Sequence, residues 1–184
     1  MRVHSLDEIT IKKALDSGAS GIIVPQINSA KQAAQAVAFA KYPPQGQRGV
    51  GIARAQDYGF SFNDYIEQAN DEIVVVVQAE HAEAVENIQA IATTPDVYGV
   101  FIGPYDLSAS LGKMGQLDDP IVVNAIEHIT QNFLTAGVKL GVFTTSAEAA
   151  IPYIERDFTL ITAGTDTLLL GKCGRGIVGE IKER

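Results

Sequence analysis

One cysteine, Cys173, stands among the 184 residues. A lone thiol excludes an internal disulfide framework, and with no signal-like N-terminus it points to a reducing cytoplasm. No apolar stretch approaches the ~20 residues of a membrane span. Leu168-Leu169-Leu170 is too short and follows Asp166. Cys/His zinc spacing, low-complexity segments and hairpin turn signals are all missing. Basic residues are scarce: 14 Lys and Arg against 22 Asp and Glu give a formal net charge of −8. That disfavours a general nucleic-acid binder, which needs a basic stripe. Small anionic substrates remain compatible, because a metal or one arginine inverts the local field.

What is present is ordinary for a globular protein, 46% hydrophobic and 20% charged residues, and the length suits a single domain over 1–184. Apolar runs alternate with amphipathic stretches. Leu6 to Ser17 reads as a helix with Ile9, Ile11, Ala14 and Leu15 inward and Gly18 as its stop. Gly21 to Pro25 reads as a buried strand and Ser29 to Ala40 as a helix capped by Ser29. Tyr42 to Gly46, with paired prolines, is loop. A glycine-containing segment runs from Arg48 to Phe62, then a short helix from Asn63 to Ala69. A strand from Ile73, a helix from Ala82 to Ala92 and a strand from Gly99 follow. A loop from Ser108 to Pro120 leads to a long helix ending near Gly137. Lys139–Phe143 is a strand, Ser146–Glu155 a helix and Phe158–Ala163 a strand. Asp166 opens a last helix that Gly171, Gly174 and Gly176 weaken. The repeated β-α order implies a parallel sheet of five strands, with Arg2-Val3 as a further stub. An eight-stranded barrel needs ~250 residues. The order therefore fits either an open sheet or a barrel represented without its first part.

Two of these strands end abruptly at carboxylates. Val74-Val75-Val76-Val77-Gln78-Ala79 stops at Glu80, and Val100-Phe101-Ile102-Gly103-Pro104-Tyr105 stops at Asp106. Continuous apolar runs mark strands buried on both faces. Their C-terminal ends are where α/β folds place active sites. Two such acids would share one space, and an oxygen-rich site suits a hard divalent cation. The competing reading is that each acid caps the next helix. Gln78 weighs against it, since it lies on Glu80's face at period two. In Gly103-Pro104-Tyr105-Asp106 the glycine permits close ligand approach. Pro104 donates no hydrogen bond, so the Tyr105 and Asp106 amides are left to hold a carboxylate.

Other chemistry-bearing residues read more plainly. Arg2 alone would be a solvated surface residue. His81 reads as a surface residue at a helix start. His4 and His128 have no local partners. Asp166 reads as a helix cap and Cys173 as structural. Lys172, Arg175, Lys182 and Arg184 form a solvated C-terminal face.

Six stretches together resemble the HpcH/HpaI class II pyruvate aldolases. They are Ile11–Ala19, Ile23-Val24-Pro25, Tyr42-Pro43-Pro44, Arg48-Gly49-Val50-Gly51, Val77–Glu80 and Phe101–Ser108. The resemblance implies a (β/α)8 TIM barrel, here without its first two βα units. It also implies a homo-oligomer whose subunits exchange a C-terminal helix. It casts Glu80 and Asp106 as ligands of a divalent metal, Mg2+, Mn2+ or Co2+. Gln78 becomes a substrate contact, and Gly103, Tyr105 and Asp106 the turn that holds the carboxylate of a 2-oxo-acid. Arg2 stabilises the enolate and aldol oxygens, Asp16 supports the catalytic base, and Phe143 lies at a strand end near the substrate. The expected activity is carbon–carbon lyase chemistry through a pyruvate enolate, with oxaloacetate decarboxylation beside it. One departure stands out. The family's Asp-x-Glu-His stretch, whose histidine is the general base, has no counterpart in this chain. The alternative is therefore a binding or assembly protein that keeps the metal and 2-oxo-acid site without the aldol chemistry.

Overall fold

The computed structural model describes residues 1–183, so Arg184 of the basic C-terminal face lies outside them. Five strands form one parallel sheet: β1 (Gly21–Val24), β2 (Val74–Ala79), β3 (Gly99–Ile102), β4 (Lys139–Thr144) and β5 (Phe158–Ala163). Their order in the sheet is their order in the chain, β1-β2-β3-β4-β5. Arg2 adds a parallel bridge to Ile23 of β1, so the expected stub does pair there. Each strand returns through helix to the next position, which is the winding of a barrel rather than of a doubly wound sheet.

The strands alternate between two interiors. Val75, Val77 and Ala79 of β2, Val100 and Ile102 of β3, and Leu140 and Val142 of β4 join one buried cluster with the helices. The intervening residues face the other side of the sheet. There the register aligns Gln78 with Phe101 and Phe101 with Gly141. A Cβ on Gly141 would lie 2.7 Å from Cδ2 of Phe101, so the glycine makes room for that ring.

The helices start where short polar side chains take first-turn amides. Asp7 caps α1 (Glu8–Asp16) by accepting from the Thr10 amide at 2.8 Å. Ser29 caps α2 (Ala30–Ala40). In α1 Ile11, Ala14 and Leu15 are buried, whereas Ile9, expected inward, is 64% exposed. Helix α3 (Phe62–Glu72) is longer than its apolar pattern suggested and buries only Ala69.

The helix expected over Ala82–Ala92 is two, α4 (Ala82–Glu86) and α5 (Ile88–Ala92). Asn87 breaks it: its Nδ2 donates to the Glu83 carbonyl and to Asn28 O, both at 3.0 Å, competing with the helical ladder. Pro104 opens a further helix, α6 (Pro104–Ser110), across what reads as a turn at the strand end and the start of the loop from Ser108. Helix α7 (Pro120–Thr135) is capped by Asp119 and buries Val122, Ile126, Ile129 and Phe133 on one stripe. Ser146 caps α8 (Ala147–Ile154).

The last helix, α9 (Asp166–Lys182), forms despite its glycines but buries none of its described residues. Its cap is Thr165, not Asp166, which instead accepts from the Thr167 amide at 2.7 Å. Cys173 on it is exposed. Among the described residues no helix is long and apolar enough to cross a membrane.

Candidate active site

The C-terminal ends of β2 and β3 bring the two carboxylates together. Glu80 follows β2 and is only 2% exposed. Neither acid serves as a helix cap: His81 caps α4 by accepting from the Glu83 amide at 3.2 Å, and Gly103 occupies the cap position of α6. Glu80 Oε2 accepts from Gln78 Nε2 at 2.6 Å, and Oε1 from the backbone amide of Gln26 at 3.0 Å. Gln26 reaches that position in the left-handed region, with φ 55°. Burial pushes the Glu80 carboxyl above the ordinary glutamate range. The Gln26 amide opposes this, the charge of Asp106 adds to it, and Arg2 counters it. Gly103 is the close neighbour of the pair. A Cβ there would lie 2.9 Å from Glu80 Oε2 and 3.1 Å from Gln78 Nε2.

Asp106 sits in the first turn of α6, where Pro104 lacks an amide hydrogen. The Tyr105 and Asp106 amides have no acceptor within the helix, so they remain donors at its mouth. A cavity of about 440 Å³ opens beside them. Arg2, Gln78, Gly103, Tyr105, Asp106 and Phe143 line it, with Ile23 and Phe101 as apolar wall. Gln78 Oε1 is buried there without a hydrogen-bond partner among the described residues. A second cavity of about 360 Å³ lies on the other flank, and Arg2, Glu80 and Asp106 line it together with His4 and Gln32.

Asp16 is not brought to these cavities. At the end of α1 its Oδ1 accepts from Arg48 Nη2 at 2.8 Å and its Oδ2 from Lys12 Nζ at 2.5 Å. Arg48 is 1% exposed and also donates to the Tyr65 hydroxyl at 3.2 Å. Its guanidinium lies 4.6 Å from the Tyr42 ring centroid. The Tyr42 and Arg48 stretches of the sequence thus meet as one buried cation–aromatic cluster around Asp16.

Three residues near the carboxylates were invisible to sequence reasoning. His4 reads as a loop residue without partners, and Gln26 and Gln32 carry no motif. Only the β1–α2 and Arg2–α1 connections, folded against each other, reveal them.

Among the described residues no group of three or more His, Cys, Asp and Glu could hold a metal. The site offers two carboxylates. A hard cation such as Mg2+ is held by one or two carboxylates and completes its shell with water and substrate oxygens. The buried Glu80 carboxyl and the unpartnered Gln78 oxygen fit such a group.

A sequentially wound parallel sheet with acids converging at its C-terminal edge defines a protein of the α/β-barrel type. The family signature HpcH/HpaI aldolase/citrate lyase matches residues 1–172, and the chain belongs to that family. It is 37% identical over 176 residues to a hydroxypyruvate/pyruvate aldolase of Cupriavidus necator, covering 95% of this chain and 65% of that protein. It is 42% identical over 172 residues to a 4-hydroxy-2-oxovalerate aldolase of Rhodococcus jostii, covering 94% of this chain and 66% of the relative. The chain thus spans just under two thirds of the length of these curated relatives. A crystal structure of an HpcH/HpaI aldolase/citrate lyase family protein from Burkholderia cenocepacia J2315 superposes with a TM-score of 0.93 at 36% identity. That match covers 98% of this chain and 72% of the other. The five-stranded sheet is accordingly the corresponding share of a TIM barrel.

Proposed function

We propose that this chain carries the 2-oxo-acid site of a divalent-metal-dependent carbon–carbon lyase. The site would form or cleave 2-oxo-acid aldols through a pyruvate enolate and would decarboxylate oxaloacetate. The observation that carries the reading is the convergence of Glu80, Asp106, Gln78, Arg2 and two free first-turn amides on one sheet end. Family membership supports the lyase class.

Glu80 and Asp106 would hold Mg2+, Mn2+ or Co2+. Such a cation, when bound, polarises the carboxylate and ketone oxygens of the keto acid as a Lewis acid. The chain's own groups do the rest. The Tyr105 and Asp106 amides hold the substrate carboxylate at the start of α6. Arg2 offsets the negative charge that gathers on the enolate oxygen and on the aldol oxygen. Gln78 fixes Glu80 through its Nε2 and presents Oε1 as an acceptor to a substrate or water hydrogen. Phe101, Phe143 and Ile23 form the apolar wall against which the carbon skeleton of the keto acid would rest. In oxaloacetate decarboxylation the breaking C–C bond releases CO2, its electron pair stays on the enolate, and water protonates that carbon to give pyruvate. Aldol cleavage asks in addition for a base to take the hydroxyl proton. Asp16, held by Lys12 and Arg48, acts through a base only if one is presented to it, as in an assembly with a second copy. The exposed α9 supports such a homo-oligomer.

The test is pyruvate release from oxaloacetate with Mn2+ and with EDTA, alongside Mn2+ titration of Glu80→Ala and Asp106→Ala. A metal-dependent rate and weakened titration in both variants are expected. No metal-dependent turnover of oxaloacetate or of any aldol would sink the reading.

A further inference from the structure

The two cavities flanking the carboxylates differ in character. The first has an apolar wall of Ile23, Phe101, Pro104 and Phe143. In the second, Leu6 and Pro25 are the apolar lining residues, and the remainder is polar. Its distinctive side chains, His4, Ser5, Gln26 and Gln32, come from the Arg2–α1 and β1–α2 connections and from the first turn of α2. Arg2 and Asp106 belong to both cavities. A ligand whose keto acid end occupies the first therefore crosses the Arg2 guanidinium to enter the second.

The hydrogen-bonding groups of the second cavity are largely unspent. Gln32 Oε1 accepts from the Asn28 amide at 2.7 Å, which fixes the side chain and leaves its NH2 end without a protein acceptor among the described residues. The His4 and Ser5 side chains likewise form no hydrogen bond with another protein group among those residues. Such a surface is well solvated when empty. An alkyl chain placed on it would strip that water without replacing it, whereas a hydroxyl would restore the bonds.

We propose that this second cavity is an acceptor subsite, in which His4 and Gln32 bind the hydroxyls of an aldehyde and select hydroxyaldehydes over alkyl aldehydes of equal length. The role as acceptor rests on the lyase reading above; the affinity for a hydroxylated chain rests on the cavity alone. A site that hydrogen-bonds a substrate hydroxyl discriminates strongly against the analogue lacking it. Because this cavity is open to solvent, a preference of about tenfold is the expected scale.

The experiment compares D-glyceraldehyde with propanal as partners of pyruvate, using the full chain with Mn2+, and reads kcat/KM for each. The wild type should favour D-glyceraldehyde by about tenfold or more. Gln32→Glu keeps the oxygen that takes the Asn28 amide and removes the NH2 donor. It and His4→Ala should each move the ratio toward one, chiefly through KM for D-glyceraldehyde, with propanal as the internal reference. An unchanged ratio in both variants overturns the subsite. If neither aldehyde reacts, the oxaloacetate assay above decides the lyase reading, and the ring signals of His4, His81 and His128, the chain's three histidines, decide the subsite. A saturable shift of His4 alone with D-glyceraldehyde and none with propanal supports it. No His4 shift, or the same shift with both aldehydes, overturns it.

Discussion

A single methyl group added at Gly103 would press on both partners of the Glu80–Gln78 pair. Both are buried, and the strand behind them is pinned on each side, so neither moves away cheaply. Gly103→Ala should weaken Mn2+ binding by about tenfold or more, at an expense of roughly 1–3 kcal/mol for overpacking. Calorimetric titration and a denaturant melt would read the two effects. Protons compete with the metal at the same carboxylates. Because burial raises Glu80 above the ordinary glutamate range, protons win earlier than at a solvated acid. Apparent Mn2+ affinity should be level at alkaline pH and fall as pH drops through Glu80's raised pKa, by up to about tenfold per pH unit. Affinity that holds level down into the normal glutamate range would contradict this. Glu80, Gln78 and Asp106 were legible in the sequence because an acid closing a run of valines is a local anomaly. Gln26 was not, because its bond to Glu80 spans 54 residues and a left-handed turn.

Elements were legible where one polar residue and one apolar stripe agreed, as at Asp119 and Val122–Phe133 of α7. They were misread where a side chain far along the chain decided the outcome. Asn87 splits an alanine-rich helix because Asn28 gives its amide a second acceptor. Pro104 starts a helix that Gly103 and the proline itself disguise as a turn. Lys41 was likewise unremarkable in the sequence. It is 5% exposed and its ammonium donates to the Ile73 carbonyl at 2.6 Å and to the Asn70 carbonyl, closing the C-terminal end of α3. Burial lowers its pKa, and Asp96 and Asp71 partly restore it. Lys41→Met leaves those carbonyls without the charged donor. It should cost about 2 kcal/mol, the scale of a hydrogen bond to a charged group, measurable as a lower urea midpoint at unchanged m.

For the molecule as a whole, the class of fold was readable from β-α repetition alone, whereas the open choice between a sheet and part of a barrel was closed by the strand order and the related structures. The least self-sufficient part is α9, whose Leu169, Leu170, Ile177, Val178 and Ile181 are all at least half exposed. A helix with that much uncovered apolar surface needs a partner surface. On the proposed homo-oligomer, removing residues 166–184 should lower the mass read by light scattering while leaving the far-UV signature of the sheet intact. An unchanged mass would overturn α9 as the contact between copies.

Strand order also governs how the chain comes apart. Among the described residues each of the five strands pairs with the strands next to it in sequence, so each joint of the sheet is made between neighbours. Loss of structure can therefore proceed by peeling rather than by rupture. The β5 end, where Phe158 is the one buried residue of the strand and α9 buries none, would open first. Amide exchange should accordingly be graded across the sheet: fastest in α9 and β5, slower in β4, and slowest in the valines of β2 and in β3, the strands that carry the two acids.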